Sequence, residues 1–138
     1  MAELIRTGIS LERELLEMFD RVISRKGYTN RSKAIRDLVR DCAVSEDVET
    51  NRTVVGTLTL VYNHHKPGLS ERINDIQHHA GQRVLAATHV HLDTEHCLEV
   101  VIMRGRSSEV QHVAEEILTL RGVKHGRLVL TTTGKSLA

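Results

Sequence analysis

The first 42 residues carry one alternating segment and two amphipathic stripes, too little chain to enclose a core. Ile5, Thr7, Ile9 and Leu11 alternate with Arg6, Gly8 and Ser10, the period-two pattern of a half-buried strand. Leu11, Leu15, Phe19 and Val22 then recur at helical spacing, which predicts a helix stopped by Gly27. A second helix is expected from about Asn30, capped by Thr29 or Asn30, with Ala34, Ile35, Leu38, Val39 and Cys42 facing inward. Cys42 is read as a buried small hydrophobe. A lone strand has no partner for its backbone N–H and C=O groups, so the economical solution is a second copy of the chain, strand paired to strand.

Beyond Cys42 the run Ala-Val-Ser-Glu-Asp-Val-Glu-Thr-Asn is polar and acidic, and a linker is expected at residues 46–51, between domains at 1–45 and 52–138. The second domain reads strand (Thr53 to Tyr62), helix (Leu69 to His79), strand (Arg83 to Leu92), strand (Cys97 to Met103), helix (Ser108 to Leu120) and strand (Val123 to Thr131). That order is the ferredoxin-like, split βαβ arrangement, so the expected class is α+β. Phe19, Tyr28 and Tyr62 are the aromatic residues of 138, so any core is aliphatic and small. Small pieces of this kind often lean on oligomerisation or a metal.

No run of about 18 apolar residues suits a membrane, and the first residues lack a secretory pattern, so a soluble, cytoplasmic protein is expected. In that setting Cys42 and Cys97 are read as thiols, one in the core and one available to chemistry. The net charge of +1 conceals a mild asymmetry, with nine Lys/Arg against seven Asp/Glu in residues 1–42, a weak sign of a nucleic-acid footprint. Of nine histidines, seven (His64, His65, His78, His79, His89, His91 and His96) are clustered.

His89 and His91 lie two apart on a predicted strand and project from one face. The hairpin folds Cys97 back beside them, which gives two imidazoles and one thiolate. His78 is the best candidate for a fourth ligand, contributed across a subunit boundary. Such a set suits tetrahedral zinc, or nickel or copper(II) in a square plane. Gln77 and Glu99 are candidates to orient ligands from behind. His64 and His65 are candidates for a secondary, weaker site. His112, His125 and His96 read as solvated, and His79 as an extension of the helix end.

Two copies of the first strand, paired antiparallel, form a ribbon that carries Arg6, Gly8 and Ser10 and fits the major groove of DNA. The backbone amides near Asn30, Arg31 and Ser32 would then meet a phosphate. The bland alternative is an ordinary dimerisation sheet with Arg6 in water. Enzyme chemistry is disfavoured, since no acid, oxyanion loop, P-loop or dinucleotide motif accompanies the histidines and cysteines.

Arg6 to Leu11, Gly27-Tyr28-Thr29-Asn30-Arg31-Ser32 with Ala34-Ile35-Arg36-Asp37, Gln77-His78-His79, His89-Val90-His91, Cys97-Leu98-Glu99 and Val110-Gln111-His112 together resemble the NikR family of nickel-responsive repressors over nearly the whole chain. The resemblance implies a ribbon-helix-helix β-α-α segment, dimeric, followed by an ACT-like domain. It also implies a homotetramer, one Ni²⁺ per chain held by His89, His91 and Cys97 with His78 of a neighbour, no organic cofactor, and metal-promoted binding to double-stranded operator DNA that represses nickel uptake. Two departures stand out: Gly8 and Ser10 occur where that family often carries threonines, and Lys33 replaces a carboxylate that, with the one matching Asp37, helps hold an alkali cation between domains. Lys33 is expected to substitute for that ion. Competing readings are a metal storage or homeostasis protein without operator specificity, and a regulatory domain answering an amino acid or other small molecule.

Overall fold

The computed structural model describes residues 3–137; the outer bounds of the expected domains, 1 and 138, lie outside them. The chain divides into two compact units, residues up to Ala43 and Val44–Ser136.

In the first unit, residues 3–12 are in neither helix nor strand, although a strand is expected from Ile5 to Leu11. A strand exists only where a second strand accepts its hydrogen bonds, and one chain supplies none. Helix α1, Arg13–Arg25, ends as its sequence requires. Gly27 adopts φ 90°, where its amide reaches Ser24 O at 3.0 Å and that of Tyr28 reaches Ile23 O at 2.9 Å, the paired bonds of a Schellman end. Helix α2, Arg31–Glu49, starts at Asn30, whose Oδ1 accepts the Lys33 amide at 2.9 Å.

Two expectations are corrected here. The residues expected as linker are helix as far as Glu49, because nothing between Cys42 and Glu49 is Gly or Pro and Val48 packs against the core of the second unit. Cys42 is exposed, as are Leu38 at 56% and Val39 at 63%. The stripe they form has no cover within one chain.

The second unit comprises β1 (Thr53–Asn63), α3 (Leu69–Ala80), a short 3₁₀ turn, β2 (Val84–His91), β3 (His96–Arg106), α4 (Ser107–Leu118) and β4 (Val123–Thr131). The sheet order is β2-β3-β1-β4 with every pairing antiparallel, which is the arrangement expected for this half of the chain. Alternate residues of β1 and β3 (Val54, Leu58, Leu60, Tyr62, Val101, Met103) are buried against Leu69 and Ile73 of α3 and Val110 and Ile117 of α4. Gly56 lies under α4, where an added Cβ would stand 2.6 Å from Val110 Cγ1; only glycine lets the helix approach this closely. The opposite face of the sheet has no cover among the described residues and leaves Val90, Ile102 and Val129 exposed.

Candidate metal centre

The site is a product of register. β2 and β3 pair so that His91 is opposite Cys97 and His89 opposite Glu99. β1 and β3 pair so that Cys97 is opposite Tyr62 and Glu99 opposite Leu60. Two rows therefore cross the sheet, His91-Cys97-Tyr62 and His89-Glu99-Leu60, with all six side chains on one face. The His89 and His91 rings stack with centroids 5.4 Å apart, and His89 lies 6.0 Å from the Tyr62 ring. β2 is an edge strand, so both imidazoles are exposed, whereas Cys97 is 0% exposed.

Glu99 is a buried carboxylate held from both sides. Tyr62 Oη donates to its Oε1 at 2.9 Å and Gln77 Nε2, from α3, donates to its Oε2 at 2.5 Å. Buried carboxylates persist only when their oxygens are satisfied in this way. The Cys97 thiol points to Tyr62 O at 3.6 Å, and burial pushes its pKa up. Burial, with Cys97 and Glu99 beside it, also pushes the Tyr62 hydroxyl well above its ordinary range, so it remains a donor. Sequence reasoning placed Gln77 and Glu99 behind the ligands and missed Tyr62. The available signal was its parity with Leu60 and Leu58 on β1, which puts its hydroxyl on the helix-covered face.

His78 is exposed near the end of α3, its ring edge-on to that of His79 at 6.4 Å. Among the described residues, no group of three or more His, Cys, Asp or Glu side chains within one chain could hold a metal ion. The fold thus brings His89, His91 and Cys97 into neighbouring positions.

His64 packs edge-on against His91 at 5.0 Å and beside His65 at 4.3 Å. Burial, and then repulsion from His65, His91 and His89, lowers its pKa, and its buried Nδ1 has no hydrogen-bond partner. Such an orphaned nitrogen is available to a metal. His65 Nε2 donates to Thr94 O at 2.8 Å. His79 Nδ1 donates to Asp75 O at 2.8 Å, and His112 lies 2.7 Å from Glu116. His96 caps the hairpin turn beside Asp93, whose carboxyl is held at about 2 by the backbone amides of His96 and Glu95.

In the first unit Arg6, Gly8 and Ser10 are exposed. The Arg31 guanidinium is held along one edge by Asp20, Nε to Oδ1 at 2.8 Å and Nη2 to Oδ2 at 2.7 Å. Lys33 Nζ meets Asp37 Oδ1 at 2.5 Å and Tyr28 Oη donates to Asp37 Oδ2 at 2.7 Å; these two bonds hold the Asp37 carboxyl below its usual value.

A family model described as the NikR C terminal nickel binding domain matches residues 55–131, a span that contains both cross-strand rows. The chain belongs to the NikR family. It is 50% identical over 138 residues to a protein from Geobacter sp. strain M21, covering 99% of both chains, and 46% identical over 136 residues to one from Thermococcus onnurineus strain NA1, covering 98% and 99%. Both relatives are named as nickel-responsive regulators. An uncharacterized protein from Thermotoga maritima shares the fold of the second unit, with a TM-score of 0.51 at 12% identity over 57% of this chain and 98% of that one. The NikR family is regulatory and not enzymatic, and this domain of it binds nickel. The donors in the two rows suit that ion: imidazole nitrogen and thiolate are both good ligands for nickel. No described helix is long and apolar enough to cross a membrane.

Proposed function

We propose that the chain is a cytoplasmic, nickel-responsive, sequence-specific DNA-binding repressor of nickel-uptake genes, working as a homotetramer with one Ni²⁺ per chain. The observation that carries this reading is the β2/β3 register, which sets His89 and His91 beside Cys97; the fourth position is assigned to another copy. His78, exposed on α3, is the residue assigned to it.

His89, His91 and Cys97, with His78 of another copy, would hold the nickel, which would supply a Lewis acid there. Cys97 must lose its proton to become a ligand, and burial opposes that loss, so metal uptake releases a proton and weakens as pH falls. Glu99, fixed by Tyr62 and Gln77, ties β3 to the turn of α3 that precedes His78. His64 and His65 form a weaker, secondary site.

The exposed apolar residues of the first unit, Leu4, Ile5, Ile9, Leu38 and Val39, favour a ribbon-helix-helix dimer in which residues 5–11 pair with a second copy. Arg6, Gly8 and Ser10 then face the major groove, and the amides of Arg31 and Ser32 meet the backbone. The uncovered face of the ACT-like sheet, with Ile102 and Val129, supports the second interface of a tetramer. Lys33 takes the place of an alkali cation at Asp37, so DNA binding is independent of potassium.

Selection from random double-stranded DNA, with and without nickel, tests this reading on the wild type, His89→Ala and Cys97→Ala. The expected result is enrichment of a two-half-site sequence only in the wild type with nickel. Metal uptake without enrichment would instead favour the storage reading.

A further inference from the structure

At the end of the sheet remote from the histidines, a pocket of about 510 Å³ opens where β1 begins and β3 ends. The two ends of β1 are about 30 Å apart at strand rise, so this pocket shares nothing with the metal centre. Its lining includes Arg52, Arg106 and Lys135 against a single carboxylate, Asp47. Among the described residues none of the three cations forms an ion pair. Asp47 instead accepts the Ser136 hydroxyl at 3.4 Å, and Glu109, whose charge Arg106 also feels, is committed to Arg83 Nε at 2.5 Å.

The walls are fixed by bonds that do not use the cations. Asn51, held at φ 56°, accepts the Ser108 amide on its Oδ1 at 2.7 Å, which leaves its two amide hydrogens as donors. Ser107 N donates to Arg52 O at 3.0 Å and Arg52 N to Asp47 O at 2.8 Å. Three cations gathered around one cavity repel one another unless an anion joins them. Two guanidinium forks match the oxygens of an oxyanion, and a net excess of two positive charges matches a phosphoryl dianion. Thr53 and Thr133 add hydroxyl donors. A volume of about 510 Å³ falls in the range of small-molecule sites, with room for the group that carries the phosphate.

We infer that this pocket is a binding site for a phosphoryl group. Its source is either a small phosphate ester or the backbone of a polynucleotide.

The probe is inorganic phosphate, titrated into the full chain without added metal, at constant ionic strength against chloride. Phosphorus NMR and the unfolding midpoint are the readouts. Saturable binding and a midpoint raised by phosphate over chloride are expected. Arg52→Ala and Lys135→Ala should each weaken binding about tenfold, since each removes a charge-assisted contact. Lys135 follows the last strand, outside every helix and strand, so its loss leaves the fold intact. Equal effects of phosphate and chloride, or a Lys135→Ala variant that titrates like the wild type, would overturn the site. Displacement of phosphate by duplex DNA assigns the source to a polynucleotide, and its persistence assigns it to a small ester.

Discussion

Leu38 and Val39 of α2 are 56% and 63% exposed, while Leu58 and Leu60 of β1 are 0% exposed. The side chains are of the same kind; what differs is the number of layers. The second unit sets two helices on one face of a four-stranded sheet and so encloses an apolar interior. The first offers two helices and an unpaired segment, a single layer with one side open. The contrast teaches that apolar patterning directs a side chain toward a core without specifying whose core it is.

Cutting the chain is the harshest way to break this contrast. Residues 44–138 should unfold cooperatively even at high dilution, whereas residues 1–43 should show no cooperative transition there and gain one as concentration rises. A folded monomer of 1–43 in analytical ultracentrifugation would end the comparison. Next in size is a cavity in the closed core. Ile73→Ala should cost about 2–5 kcal/mol at any protein concentration, whereas Leu38→Ala should cost within about 0.5 kcal/mol in the monomer and more once copies associate. Paired denaturant titrations at two concentrations check both.

Smaller effects sharpen the account of the second unit. Tyr62→Phe removes one of the two donors to Glu99 and should destabilise by about 1–3 kcal/mol, with nickel affinity lower by about tenfold or more. Calorimetric nickel titration separates that variant from one that merely loosens the core. The mildest effect is one of pH. Asp93 lies at about 2 in the fold against an ordinary 3.8, so its contribution is present above 3.8 and is lost as pH falls through about 2. Amide exchange at Glu95 and His96 should accelerate over that interval, and Asp93→Asn should remove the pH dependence.

Most of the second unit was legible because each element carried its own period: the bounds of β4 match the expected Val123 to Thr131, and α3 runs one residue past the expected His79. Spacing also foretold that His89 and His91 share a face and that the hairpin returns Cys97 to them. Three features were hidden. The end of α2 looked polar enough for a linker, yet Val48 finds apolar contacts that the local sequence does not announce. Cys42 followed the helical stripe correctly, but a stripe records direction and not cover. The hydroxyl of Tyr62 acquires its partner 37 residues away through strand register, which no local pattern encodes.

The trio of Tyr62, Gln77 and Glu99 also limits how this protein can drift or be redesigned. A carboxylate shared by a tyrosine of β1 and a glutamine of α3 penalises each single change, because the survivors are left buried without a partner. Exchange as a set, with Tyr62→Phe, Gln77→Leu and Glu99→Leu made together, should be far less costly to the fold than the sum of its steps. Altering metal preference at the ligands alone therefore starts from a fixed background, and the mutational path to a different background runs through intermediates less stable than either end.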